Sequence, residues 1–137
     1  MKNNELKINN LVILAHGSEK KAKVIGLDKK KVFLETTISG ELMEIHASYT
    51  DIKPISLNAK KLDKLGFTID INANVAVLEN KYIGVLSISL EDFSVCIADS
   101  ARGYTLGDCT YCPHGYAKYL HQLQNLYYSL TQRELVI

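Results

Sequence analysis

Apolar and polar positions alternate in short runs over the first 57 residues, and the pattern predicts strands. Leu11 to Leu14 is an apolar run ended by the loop Ala15-His16-Gly17-Ser18. Ala22, Val24 and Gly26 alternate with Lys23, Ile25 and Leu27, and the charged stretch Asp28 to Lys31 then turns the chain. Val32 to Thr37 is β-branched and aromatic, and Ser39-Gly40 turns it into Leu42 to His46. Ala47 to Asp51 is too short for a helix and predicts one turn of 3₁₀ helix. Ile52 to Ile55 follows as a short last strand, where Pro54 suits a sheet edge because an edge strand tolerates a missing N–H. Five short strands with a 3₁₀ turn before the fifth predict an SH3-like β-barrel over residues 8–56.

A helix is predicted over 58–66. Asn58 is a suitable N-cap, Leu57 and Leu62 stand at staple positions, and Gly66 is placed for a left-handed stop. Strand patterns resume with Thr68 to Ile71, Val75 to Leu78, Ile83 to Leu90 and Phe93 to Ala98. They predict a meander with one apolar face and an exposed face carrying Ser87 and Ser89. Leu120, Leu123, Tyr127 and Leu130 recur at helical spacing, so a helix from Tyr116 to Leu130 is expected to cover that meander. Gln122, Gln124 and Asn125 fall on its far side, and Glu134 to Ile137 reads as a short edge strand. The expected class is α+β, with an SH3-like barrel in 1–57 and a linker helix, β-meander and C-terminal helix in 58–137.

Composition narrows the function classes. A chain of 137 residues with 47% hydrophobic and 23% charged residues is long enough to bury a core without a disulfide or metal. Its net charge of +1 argues neither for nucleic acid nor for a membrane surface. No apolar run approaches the roughly 20 residues that span a bilayer, and Met1 to Asn10 lacks the apolar stretch of a signal peptide. The expectation is a cytoplasmic protein with no membrane partner. Three cysteines, an odd count, predict reduced thiols.

Candidate chemistry is sparse. Cys109-Thr110-Tyr111-Cys112-Pro113-His114 places two thiolates where one tetrahedral Zn²⁺ takes both, with His114 or His121 adding a nitrogen and Cys96 a fourth ligand if its strand ends nearby. A redox pair on Cys109 and Cys112 and a plain pair of loop thiols are the alternatives. His16, His46, His114 and His121 sit in no nucleophile motif, and GxSxG, GxGxxG and GxxxxGK[ST] are all missing. Lys20, Lys21 and Lys23, with Lys29, Lys30 and Lys31, bracket one strand and offer cations to a nucleic-acid backbone. Eight tyrosines with no tryptophan is tyrosine-rich, and Tyr104, Tyr111, Tyr116 and Tyr119 crowd one loop and the helix that follows it, as at protein interfaces, packing under the loop being the alternative.

Three blocks carry a family resemblance. Asn4-Glu5-Leu6-Lys7-Ile8-Asn9-Asn10-Leu11-Val12 resembles an "NELRIGNLV" opening, and Asp51 to Leu57 with Leu62, Leu65, Gly66 and Phe67 resembles "IKPIPL…L..LGF". Tyr119 to Thr131 is similar to the closing "YLHQLQNLYFALTG". These mark an uncharacterised family of small proteins from Bacteroides-type bacteria, their phages and mobile elements. Gln132 stands where the family often has Gly, and the Cys109 to His114 segment is not part of its pattern. The resemblance implies a small phage or mobile-element accessory protein. Together with the missing catalytic motifs, this makes a non-catalytic binding protein the expected function. The expected partner is a protein, a host defence protein such as a nuclease being one guess (an anti-CRISPR role among them), and no cofactor is expected unless zinc is held. A nucleic-acid module on the lysine-rich barrel and a small zinc or redox protein are the alternatives.

Overall fold

The computed structural model describes residues 1–81, 84–98 and 115–137. The class is α+β: two antiparallel sheets, a short helix and a longer C-terminal helix. The described residues form two compact units, Met1–Ser56 with Tyr119–Asn125, and Leu57–Lys118 with Leu126–Ile137.

In the first unit, β1 (Leu11–Leu14), β2 (Lys20–Leu27), β3 (Lys31–Ile38), β4 (Glu41–Ser48) and β5 (Ile52–Lys53) form one sheet in the order β4-β3-β2-β1-β5. Because side chains alternate across a strand, every second residue is driven inward. Val12, Val24, Val32 and Leu34 are fully buried on one face, joined by Leu14, Ala22, Ala47 and Ile52. The two-residue loop Ser39-Gly40, with φ of 53° and 82°, has the left-handed twist that matches a hairpin. β2 and β3 shift register between Val24 and Gly26, where a Cβ on Gly26 would stand 3.0 Å from the Phe33 ring. A 3₁₀ turn, Tyr49–Asp51, leads into β5 as expected, opened by Ser48, whose hydroxyl accepts from the Thr50 N–H. Among the described residues no pairing joins β4 to β5, so what stands is a five-stranded antiparallel sheet.

In the second unit, α1 (Ala59–Lys64) begins where Asn58 accepts the Lys61 N–H and ends at Gly66, with φ of 94°. Phe67 N–H donates to Leu62 and Gly66 N–H to Asp63, the paired bonds of a Schellman stop. Leu62 is fully buried, and α1 packs on β6 (Thr68–Asp70) and β7 (Val75–Asn80). With β8 (Gly84–Ser89) and β9 (Val95–Ala98) these make a sheet in the order β6-β7-β8-β9. Ala76, Leu86, Ile88 and Val95 are fully buried on one face. The other face departs from expectation: Ser87 is buried, its hydroxyl donating to the Cys96 carbonyl, and Val85 beside it is 1% exposed. A serine with a backbone acceptor tolerates burial.

The C-terminal helix, α2 (Leu120–Thr131), starts four residues later than its apolar stripe suggests. Residues 115–118 are held extended instead: Val95 N–H donates to Gly115, Ala117 N–H to Phe93, and Leu57 N–H to Lys118. Gln122 then reaches back to accept the Tyr119 N–H, which caps the first turn. The expectation that α2 covers the second sheet is corrected, because its first turns belong to the first unit. The polar residues there face inward. Gln124, 4% exposed, accepts the Leu11 N–H and donates to the Asn9 carbonyl; Asn125 accepts from Asn10 and donates to the Glu5 carbonyl. These amides satisfy backbone groups that a leucine would orphan, which is why hydrophobicity alone misplaced them. From Leu126 on, the helix belongs to the second unit, where the Tyr127 hydroxyl accepts from Asn80. Residues 134–137 form no strand, so the expected edge strand is absent, although Leu135 is buried.

Candidate functional site

In the first unit, the end of β1, the loop after it, the far ends of β3 and β4 and the 3₁₀ turn surround a cavity of about 380 Å³. The local cause is the inward alternation just described. Leu14 pairs with Lys20 across β1 and β2, and Leu34 with Ile45 across β3 and β4, so Leu14, Ile38, Ile45 and Ala47 share the apolar side. The Ala15 N–H donates to the Asp51 carbonyl at 2.8 Å, which seats the 3₁₀ turn against the end of β1. His16, Ser18, Lys20 and Asp51 complete the lining. The result is an apolar floor with a hydroxyl, an imidazole, an ammonium and a carboxylate around it. His46 also borders the cavity, but its ring sits edge-on to Phe33 at 4.6 Å and bonds Glu44 at 3.2 Å. Strand alternation places that ring on the opposite face from Ile45 and Ala47.

Among the described residues that the sequence singled out for partner binding, Lys20 lines this cavity. Lys21 and Lys23 alternate onto the other face of β2, and Lys23 pairs with Glu35 at 3.3 Å. Lys29, Lys30 and Lys31 lie beyond the other end of the eight-residue strand, about 23 Å away at ~3.3 Å per residue. There Asp28 accepts the Lys30 and Lys31 N–H groups, and those bonds, with the charges beside them, hold its carboxyl below its usual range. The two lysine groups therefore do not converge. Tyr116 is 64% exposed in the second unit, in an isolated bridge with Ser94. Tyr104, Tyr111, Cys109, Cys112 and His114 lie outside the described residues.

The cysteine reading changes at one position. Cys96 is disulfide-bonded, so it is neither a reduced thiol nor a free zinc ligand. An odd count of cysteines does not prevent a pair. Among the described residues no group of three or more His, Cys, Asp or Glu side chains is arranged to hold a metal ion. None of their helices is long and apolar enough to cross a membrane.

Two features escaped the sequence. His16 and Asp51 line one cavity although 34 positions separate them, and no local motif signals that approach. His121 is 2% exposed, stacked on Tyr119 with ring centroids 5.9 Å apart, and neither ring nitrogen meets a hydrogen-bond partner among the described residues. Burial pushes its pKa below the ordinary 6.5; the Glu5 carboxylate opposes that shift and the terminal ammonium adds to it. A larger trough of about 850 Å³ in the second unit runs along β6 and β7 past Ile69 and Val77, with Asp70 and Glu79 in its lining. No protein-family model, curated protein or solved structure matches the chain.

Proposed function

We propose that this chain is a non-catalytic binding protein that takes a protein partner, with the cavity of the first unit receiving an apolar side chain of that partner. The observation that carries the reading is the cavity's make-up: an apolar floor of Leu14, Ile38, Ile45 and Ala47 under Ser18, His16, Lys20 and Asp51. A volume near 380 Å³ is at the lower end for small-molecule pockets and suits one or two anchoring side chains, while the polar groups meet the backbone on either side of the anchor. The strand order β4-β3-β2-β1-β5, with a 3₁₀ turn before β5, supports an SH3-like arrangement of the sheet. The resemblance to the phage and mobile-element family sets the class of partner. In such a setting a host defence protein is the class of partner to seek first.

The separation of the two lysine groups, and the pairing of Lys23 with Glu35 and Lys53 with Glu19, favour a protein over a nucleic-acid backbone. The test captures partners from host lysate on the wild-type chain and on a Lys20→Glu, Ile38→Asp variant shown by circular dichroism to be folded. The expected result is a protein held by the wild type at ~0.5 M salt, where the Debye length is about 4 Å, and lost by the variant. Recovery of nucleic acid alone, released by that salt, refutes the reading and promotes the lysines.

A further inference from the structure

We propose that β4 is a self-association edge, pairing antiparallel with β4 of a second copy across a two-fold axis centred on Ile45. Among the described residues, β4 ends its sheet: all eight of its residues pair with β3, and no strand lies beyond it. Its outer backbone groups are thus a ready template for another strand. Proteins that keep such an edge solitary cover it with charge, and Glu41 and Glu44 are there, yet Leu42 and Met43 are left 68% and 44% exposed.

The occupant follows from the strand's own complementarity. A two-fold axis normal to a sheet keeps each side chain on its face, so the paired copies must be centred on a residue, not between two. Centring on Glu44 sets two carboxylates opposite each other. Centring on Met43 sets Glu41 against Ile45. Centring on Ile45 sets Ile45 against Ile45 and Met43 against Ala47 on the cavity side, with Glu44 against His46 twice on the other. In that register His46 of each copy stands opposite Glu44 of the other and trades its own-strand bond to Glu44, 3.2 Å long, for one across the axis. The second copy's Met43 extends the apolar floor that Ile45 and Ala47 begin. The pairing rests on β4 alone, so it goes beyond the binding proposed above and can fail without it. Seven paired residues bury less than a standard interface, so the dimer is weak and forms only at high protein concentration.

Sedimentation equilibrium tests this from low to high micromolar concentration. The expected result is a shift from the 15.3 kDa monomer toward twice that mass. His46→Glu gathers four carboxylates around the axis and abolishes the shift; Glu44→Lys weakens it; the double variant Glu44→Lys, His46→Glu restores it by exchanging the partners. Both side chains are more than half exposed, so the variants keep the fold. A monomer at every concentration overturns the proposal, as does a dimer that His46→Glu leaves intact or that the double variant does not rescue.

Discussion

Replacing His121 with Phe tests the strangest residue of the first unit. The side chain is 2% exposed, and neither nitrogen has a hydrogen-bond partner among the described residues. An unpartnered buried polar group costs about 1–3 kcal/mol, and Phe removes that cost while keeping an aromatic face for Tyr119, 5.9 Å away. Phe is also slightly larger, and overpacking takes back about 1 kcal/mol or more. At pH 8 the variant is therefore expected between unchanged and about 2 kcal/mol more stable. The sharper expectation concerns pH. Burial lowers the folded-state pKa of His121 below 6.5, so the unfolded chain takes up the proton first. Its contribution is complete above 6.5 and is lost as pH falls from there through the folded-state value, at no more than about 1.4 kcal/mol per pH unit. Below that value both states are protonated and the slope ends. Urea unfolding followed by circular dichroism at pH 8, 7, 6 and 5 reads the difference. The gap in favour of the variant should widen steadily below pH 6.5. Parallel stability curves for the two proteins, or a variant more than about 2 kcal/mol weaker at pH 8, would refute the reasoning.

Asn10→Ala should destabilise the chain by about 2–3 kcal/mol in the same urea assay. It leaves the Lys7 N–H and the Asn125 carbonyl oxygen without the bonds of 2.8 Å each that a 2% exposed side chain now supplies. A loss below about 0.5 kcal/mol would mean that the amide pair is incidental. Gly66→Ala should cost about 1 kcal/mol, measured as a lowered melting temperature. Nothing crowds a Cβ there, so the whole effect comes from holding φ at 94° in an L residue. An unchanged melting temperature would show that the Schellman stop relaxes freely.

Local rules carried much of the fold. Asn58, Gly66 and the staple leucines place α1 because a cap and a stop act within one turn, and alternation places the strands because pleating reverses side chains at every step. The Ser39-Gly40 hairpin and the 3₁₀ turn before β5 were legible for the same reason: their conformations are set by two to four neighbouring residues. The candidate site was far less legible. Lys20 was visible as a charge, but Leu14 read only as part of an apolar strand and Ala47 as the start of a 3₁₀ turn. Nothing local says that a core face opens into a cavity at its end.

What the sequence determined by itself was most of the strands and the capped helix α1, not the start of α2 or the C-terminal residues. The tertiary structure alone decided which surfaces those elements meet. Gln124 and Asn125 look solvent-facing on a helical wheel, yet they are spent on the backbone and side chains of Glu5, Asn9, Asn10 and Leu11, more than a hundred positions away. Polarity reports that a side chain needs hydrogen bonds; only the fold determines whether water or a distant segment supplies them.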